Sequence, residues 1–84
     1  MADSHESRSH LIRTYVEPAR SRGDYTVTVR AGDVVSELSS GTANPAVCGV
    51  LGSDTFEREA WLQRLAIDGP LPGAGTLFVY KIRP

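Results

Sequence analysis

The order of the local signals between Tyr25 and Tyr80 is the feature that most constrains the fold of this 84-residue chain. Along the chain they predict an alternating strand, a short helix, a tight turn, a second helical region, and two strands joined by a turn rich in proline and glycine. Each signal alone is ordinary in a small α+β domain. Their order predicts an α+β fold with a three-helix core, a small antiparallel β-sheet and a protruding hairpin.

The first strand is predicted over residues 25–30, where apolar residues alternate with polar or charged ones. This alternation is typical of a half-buried strand and places Tyr25, Val27 and Val29 towards the core. Asp33 is the expected N-cap of the short helix that follows, because its carboxylate can accept bonds from free backbone N–H groups. Gly41 is the expected end of that helix, since glycine readily adopts the left-handed conformation that closes helices.

Asn44 and Pro45 give the sharpest signal for a helix start. An asparagine side chain caps free N–H groups, and a proline at the first helical position has its φ angle preset and needs no N–H. The predicted helix is Asn44–Leu51. Its inward face is apolar and comprises Ala46, Val47, Cys48, Val50 and Leu51.

A second start signal follows at Asp54 and Glu57, which have the spacing of a capping box. We therefore expect either one helix interrupted near Gly52 or two short helices, reaching about Ala60. Trp61 comes next and is interpreted as a core residue between the helices and the hairpin. The alternative for Trp61 is a stacking platform for a nucleic-acid base.

Two strands are predicted on either side of a turn at residues 69–75. In the first, residues 62–68, Leu65 and Ile67 fall on one side. In the second, residues 76–83, three apolar residues are in register: Phe78, Tyr80 and Ile82. The two strands make a hairpin whose tip protrudes.

The first helix supplies the third side of the core. Its apolar positions recur at helical spacing and are Leu11, Ile12, Tyr15, Val16 and Ala19. Pro18 predicts a kink or a break after Glu17, and Gly23 is the expected end. Residues 1–8 are expected to be a flexible tail and residues 9–84 a single domain.

Composition argues against several function classes. No apolar run approaches the ~20 residues that span a bilayer, and residues 1–10 lack the apolar centre of a signal peptide, so we expect a cytoplasmic protein without membrane contact. Cys48 is the sole cysteine and is expected to be a small core residue. Both histidines lie in the first ten residues. We therefore expect no enzymatic activity, no metal site and no cofactor.

Four segments resemble winged helix-turn-helix domains of bacterial and archaeal DNA-binding proteins. They are IRTYVEPAR from Ile12, VRAGDV from Val29, PAVC from Pro45 and GPLPGAGTLFVY from Gly69. The resemblance implies that Asn44–Leu51 is the recognition helix and that residues 70–75 form the tip of the wing. It implies a function in transcription regulation or in the recognition of modified DNA.

Candidate contacts to double-stranded DNA follow from this arrangement. Base contacts are expected from polar side chains near the recognition helix, namely Thr42, Asn44 and Ser53. Phosphate contacts are expected from basic side chains, namely Arg22, Arg30, Arg64 and Lys81. Leu71 is expected to contact sugars from the wing tip. The small residues Ala43, Gly49 and Gly52 are expected to permit close approach to bulky or modified bases.

The charge balance leaves a second function open. Nine basic and ten acidic residues give a net charge of −1, so the whole molecule has no long-range attraction to phosphate. Between residues 31 and 60, five carboxylates accompany one arginine. The alternative is therefore a winged helix that binds a protein partner through its hairpin or first helix. The first helix is also the candidate surface for a homodimer.

Overall fold

The computed structural model describes residues 4–38, 44–69 and 73–83, with the side chains in these ranges except those of Ser4 and Asn44. These residues form an α+β fold. The elements in chain order are α1 (Ser4–Leu11), a π-helical segment (Ile12–Val16), α2 (Glu17–Arg22), β1 (Thr26–Arg30), α3 (Ala31–Glu37), α4 (Asn44–Leu51), α5 (Asp54–Ala60), β2 (Leu62–Asp68) and β3 (Leu77–Ile82). The predicted order of helices and strands is confirmed.

The first helix runs continuously from α1 through the π-helical segment to α2. The N–H of Glu17 bonds to the carbonyl of Ile12, five residues earlier, which is the π-helical spacing. Pro18 follows directly and has no N–H to donate, so the regular pattern of helical bonds is interrupted at this point. The predicted interruption is therefore a π-helical segment before Pro18 and not a break after Glu17. Gly23, with φ 79°, ends the helix as predicted.

The start of α1 lies inside the segment that was expected to be a flexible tail. Residues 4–8 are helical, and Ser7 is buried. Arg8 anchors this turn, since its Nε lies 2.6 Å from Glu59 Oε1 on α5. The helix is thus longer than predicted because its first turns contact another helix. Residues 1–3 of the expected tail lie outside the described residues.

The three strands form one antiparallel sheet in the order β1-β3-β2. One face packs on the helices through Val27, Val29, Phe78 and Tyr80, all of which are buried. The prediction was correct for these side chains. It was wrong for Tyr25, whose side chain is 86% exposed because it precedes β1 at the end of the sheet.

The hairpin end of β2 differs from the prediction. Leu65 and Ile67 were expected on one side of a regularly alternating strand, and they are 51% and 40% exposed. The register of β2 against β3 shifts between Arg64 and Ala66. Such a bulge changes the direction of the strand and interrupts strict alternation. Beyond it, residues 65–68 of β2 are all exposed.

Tyr80 on the central strand connects the sheet to α4. Its hydroxyl donates a hydrogen bond of 2.6 Å to the carbonyl of Leu51, the last residue of α4. Its ring meets Phe56 edge-on, with 5.5 Å between the ring centroids. Burial raises the pKa of the Tyr80 phenol far above its usual value, so the hydroxyl keeps its proton for this bond.

The start of α3 is capped by the hairpin and not by Asp33. The N–H groups of Ala31 and Gly32 donate to the carbonyls of Thr76 and Ala74, at 3.0 and 2.8 Å. The prediction of Asp33 as N-cap was wrong, because the helix begins two residues earlier, at Ala31, and Asp33 lies in its first turn. The predicted end at Gly41 was also wrong, because α3 ends at Glu37 and Leu38 is already extended; Gly41 itself lies outside the described residues.

The region after Pro45 forms two helices, one of the two predicted alternatives. Ser53 is the N-cap of α5, with its Oγ accepting a bond of 3.2 Å from the N–H of Phe56. The predicted capping box of Asp54 and Glu57 is therefore wrong by one position. Glu57 instead accepts a bond of 2.7 Å from the backbone N–H of Arg64 on β2.

Candidate nucleic-acid interface

The outward side of α4 is small and uncharged. Val47, Cys48, Val50 and Leu51 are buried, as predicted for the inward face, and Ala46 is half-buried. Pro45 and Gly49 are exposed. A Cβ added at Gly49 would meet no other atom within 4 Å. This helix therefore presents backbone and very short side chains to its surroundings.

A hollow of about 310 Å³ lies beside this surface. It is lined by residues of three elements and the connection after α4, namely Arg8, Ala46, Gly49, Val50, Ser53 and Thr55. Ser53, a predicted base contact, donates its hydroxyl proton to the carbonyl of Val50 at 2.7 Å while capping α5. Its hydroxyl can therefore only accept a further hydrogen bond. Arg8 is the one cation of this lining.

The remaining predicted base contacts have no described side chain. Asn44 begins α4, and Thr42 lies outside the described residues, as does Leu71 at the predicted wing tip. Part of the predicted wing, residues 73–75, is described and lies next to α4. The Sγ of Cys48 is 4.0 Å from the carbonyl oxygen of Gly73.

Arg64 lies half-buried against α5 and not at the wing tip. Its Nη1 is 3.5 Å from Glu57 Oε1, and this nitrogen has no hydrogen-bond partner among the described residues. Its position in β2 is opposite Tyr80, on the sheet face that packs against the helices. The contact with Glu57 makes Arg64 part of the α5–β2 packing.

Lys81 lies on the opposite face of the sheet from Arg64. It is exposed, and the register places it between Thr26 of β1 and Gln63 of β2. The structure therefore places these two predicted phosphate contacts, Arg64 and Lys81, on opposite faces of the sheet. Lys81 is also near the end of β3 that is farthest from the hairpin turn.

Arg22 and Arg30 each have a carboxylate partner close in sequence. Arg22 Nη2 lies 2.8 Å from Asp24 Oδ2, and Arg30 Nη1 lies 2.9 Å from Asp33 Oδ1. Both pairs are largely exposed, so each contributes less than about 1 kcal/mol to stability. Because each pair has no net charge, it attracts an approaching phosphate less than a free arginine would.

A groove of about 770 Å³ lies at the end of the sheet away from the hairpin turn. Two aromatic side chains line it, Tyr25 at 86% exposure and Trp61 at 54%. The interpretation of Trp61 as a core residue was therefore wrong. Trp61 closes α5 in the left-handed conformation, with φ 58° and ψ 52°, which turns the chain and directs it into β2.

Three cations surround these rings. Arg20 Nη2 donates to the carbonyls of Ala60 and Trp61, at 3.0 and 3.2 Å. The guanidinium carbon of Arg83 lies 5.4 Å from the centroid of the Trp61 ring, a cation–π distance. Lys81 is the third cation of the lining. The sequence held one indication of this groove, a tryptophan at a helix end where glycine is the usual residue.

The described residues offer little for catalysis by a metal. No group of three histidine, cysteine or carboxylate side chains among them is placed to hold a metal ion. Within the same ranges, no helix combines the length and the apolar character needed to cross a bilayer.

Comparisons with known proteins add no assignment. No protein-family model matches the chain, and no curated protein or solved structure is significantly similar to it. The function must therefore be inferred from the residues and their geometry.

Proposed function

We propose that this chain is a winged-helix module that binds double-stranded DNA through α4 and the hairpin. The observation that supports it is the strand order β1-β3-β2 behind a helical layer, with the described base of the hairpin beside α4. This is the arrangement that the resemblance to winged helix-turn-helix domains implies. Transcription regulation or recognition of modified DNA is the biological role that we propose for it.

The size and surface of α4 suit a major groove. An α-helix with its side chains is about 10–12 Å in diameter, and the major groove of B-DNA is about 12 Å wide. Gly49 and Pro45 on the outward side leave room for close approach to base edges, including bases with an added group. Hydrogen bonds to bases would come from Asn44 and, as an acceptor, from Ser53.

The electrostatics predict weak binding. Three of the four cations proposed for phosphate contacts, Arg22, Arg30 and Arg64, have carboxylates within 4 Å. Each phosphate neutralised contributes about 0.9 to the slope of log affinity against log salt. With one or two effective contacts we expect a slope of about −1 to −2, which is shallow for a DNA-binding protein.

Gly49 allows a sharp test. Gly49→Glu places a longer, negatively charged side chain at the centre of the outward side of α4, where the added Cβ meets open space. Fluorescence anisotropy with a labelled 16-base-pair duplex at 20–150 mM salt is expected to show binding by the wild type and none by Gly49→Glu. Gly49→Ala is the matched control and is expected to bind like the wild type. Melting curves confirm that both variants are folded.

Two results would contradict the proposal. One is the absence of duplex binding by the wild type at 20 mM salt, with mixed-sequence and modified duplexes alike. The other is wild-type affinity in folded Gly49→Glu, which would exclude α4 from the interface.

The second candidate is a protein-interaction module, and one observation favours it. Leu65 and Ile67 expose apolar side chains on β2, next to the hairpin turn. A double change of these residues to serine is expected to abolish partner binding or self-association without loss of the fold. Sedimentation velocity of the wild type and this variant separates a hairpin-mediated homodimer from one through the first helix, which the variant leaves intact.

A further inference from the structure

We propose that the groove between Tyr25 and Trp61 binds an unpaired nucleotide of a single-stranded nucleic acid, with its base stacked on the aromatic rings and its phosphate held by Lys81, Arg20 and Arg83. The groove is distinct from the α4 surface. It lies at the opposite end of β3 from the hairpin turn, so this inference does not depend on duplex binding by α4.

The two aromatic residues line one groove from either side of β3. The carbonyl of Tyr25 accepts a bond from the N–H of Ile82, and that of Trp61 accepts one from the N–H of Arg83. The two aromatic residues therefore flank the end of β3 on either side, two strand spacings or about 10 Å apart. Because both residues line this groove, a single ligand in it can contact both rings.

The conformation of Trp61 is a second, independent observation. Among the described residues it is the only one other than glycine with a positive φ angle. A left-handed conformation costs a non-glycine residue about 1–2 kcal/mol, and glycine would close the helix without that cost. The residue is 54% exposed, so this conformation holds much of the tryptophan at the surface of the groove. A ligand that stacks on the indole gives this position a function.

The charge of the groove selects an anionic ligand. Its lining contains three cations, Arg20, Lys81 and Arg83, and one carboxylate, Asp24, which gives an excess of two positive charges. Asp24 is itself paired with Arg22. The whole chain, by contrast, has a net charge of −1. Exposed aromatic rings within a positively charged groove are the combination that binds single-stranded nucleic acid without sequence preference.

The single tryptophan of the chain provides a direct measurement. Titration of the wild type with the oligonucleotide dT8 at 20 mM salt is expected to quench the fluorescence of Trp61, because the base stacks on the indole. With about three phosphate contacts, the slope of log affinity against log salt is expected to be about −2. Lys81→Ala is expected to reduce that slope by about 0.7, and Lys81→Arg to leave it unchanged.

Variants of the rings use anisotropy of labelled dT8. Trp61→Gly keeps a residue suited to the left-handed position and is expected to fold while weakening dT8 binding about 5- to 150-fold, the loss that corresponds to one base–aromatic stack. Tyr25→Ala removes the other, 86% exposed ring and is expected to weaken binding over the same range. Leu65→Ala, a half-exposed apolar residue outside the groove, is the matched control and is expected to have no effect.

Three results would overturn the inference. Wild-type affinity for dT8 in both folded Trp61→Gly and Tyr25→Ala would exclude the groove. Equal quenching by a hexaglutamate peptide would assign it to an acidic protein segment. Absence of any quenching by dT8 would exclude stacking. The duplex proposal is tested separately. Gly49→Glu is expected to abolish duplex binding and to leave dT8 binding unchanged.

Discussion

The hydrogen bond between Tyr80 and Leu51 gives the most direct test of how α4 is held against the sheet. Tyr80→Phe removes the hydroxyl that donates 2.6 Å to the Leu51 carbonyl and keeps the ring that packs on Phe56. Both residues are completely buried, so water cannot replace the lost donor. A buried polar group left without a partner costs about 1–3 kcal/mol. We therefore expect Tyr80→Phe to lower the free energy of unfolding by about 2 kcal/mol.

This loss is large for a chain of this size. A change of 1 kcal/mol shifts the melting temperature of a 60–100-residue domain by about 4–8 °C, so Tyr80→Phe is expected to melt about 8–16 °C below the wild type. Urea unfolding followed by circular dichroism gives the same quantity, and the slope m is expected to be unchanged. Tyr15→Phe is the matched control, because its hydroxyl bonds to Glu37 at a half-buried position. A change below about 0.5 kcal/mol in Tyr80→Phe would refute this account of how α4 is fixed.

Three further predictions concern stability. Because burial raises the pKa of Tyr80 on folding, this group is expected to contribute a constant free energy of unfolding around pH 8 and a fall of up to about 1.4 kcal/mol per pH unit above about pH 10, where only the unfolded tyrosine loses its proton. Tyr80→Phe is expected to lose this share in urea titrations and to keep the share of Tyr15, whose pKa burial also raises. Gly49→Ala is expected to raise the melting temperature by a few degrees, since alanine is more favourable than glycine in a helix by about 0.5–1 kcal/mol and the added Cβ meets open space. Gly32→Ala is expected to destabilise by about 1–3 kcal/mol in the same unfolding assay, because its Cβ would lie 2.7 Å from the carbonyl oxygen of Ala74.

The sequence predicts elements well where one local rule decides the outcome. The alternation of Val27 and Val29, and the proline at position 45, each produce the expected element. It predicts poorly where a distant group competes with a local one. Asp33 is a good cap by residue type, but the helix begins two residues earlier, where the N–H groups of Ala31 and Gly32 bond to carbonyls of the hairpin. No local pattern around Asp33 contains that information.

The candidate sites divide in the same way. Arg64 is a plausible phosphate contact from its place in a predicted hairpin, yet its half-buried side chain lies beside Glu57. The groove was not predicted, because the sequence pattern assigned Tyr25 and Trp61 to the core. Whether an aromatic residue at the end of an element is buried depends on which other elements of the fold pack against it. Here the sheet ends at both residues, and the rings remain exposed.

The strand order has a consequence for synthesis on the ribosome. β1 and β2 have no bonds to each other and each pairs only with β3, which is made last of the three. At about 5–20 residues per second, about 2–10 s separate the addition of Arg30 from the addition of Leu77. During this interval Val27 and Val29 belong to a strand without a partner. The nascent chain therefore exposes an unpaired apolar strand, which can aggregate. We expect chaperones and a low expression temperature to improve the yield of this protein more than that of a protein whose first strands pair with each other.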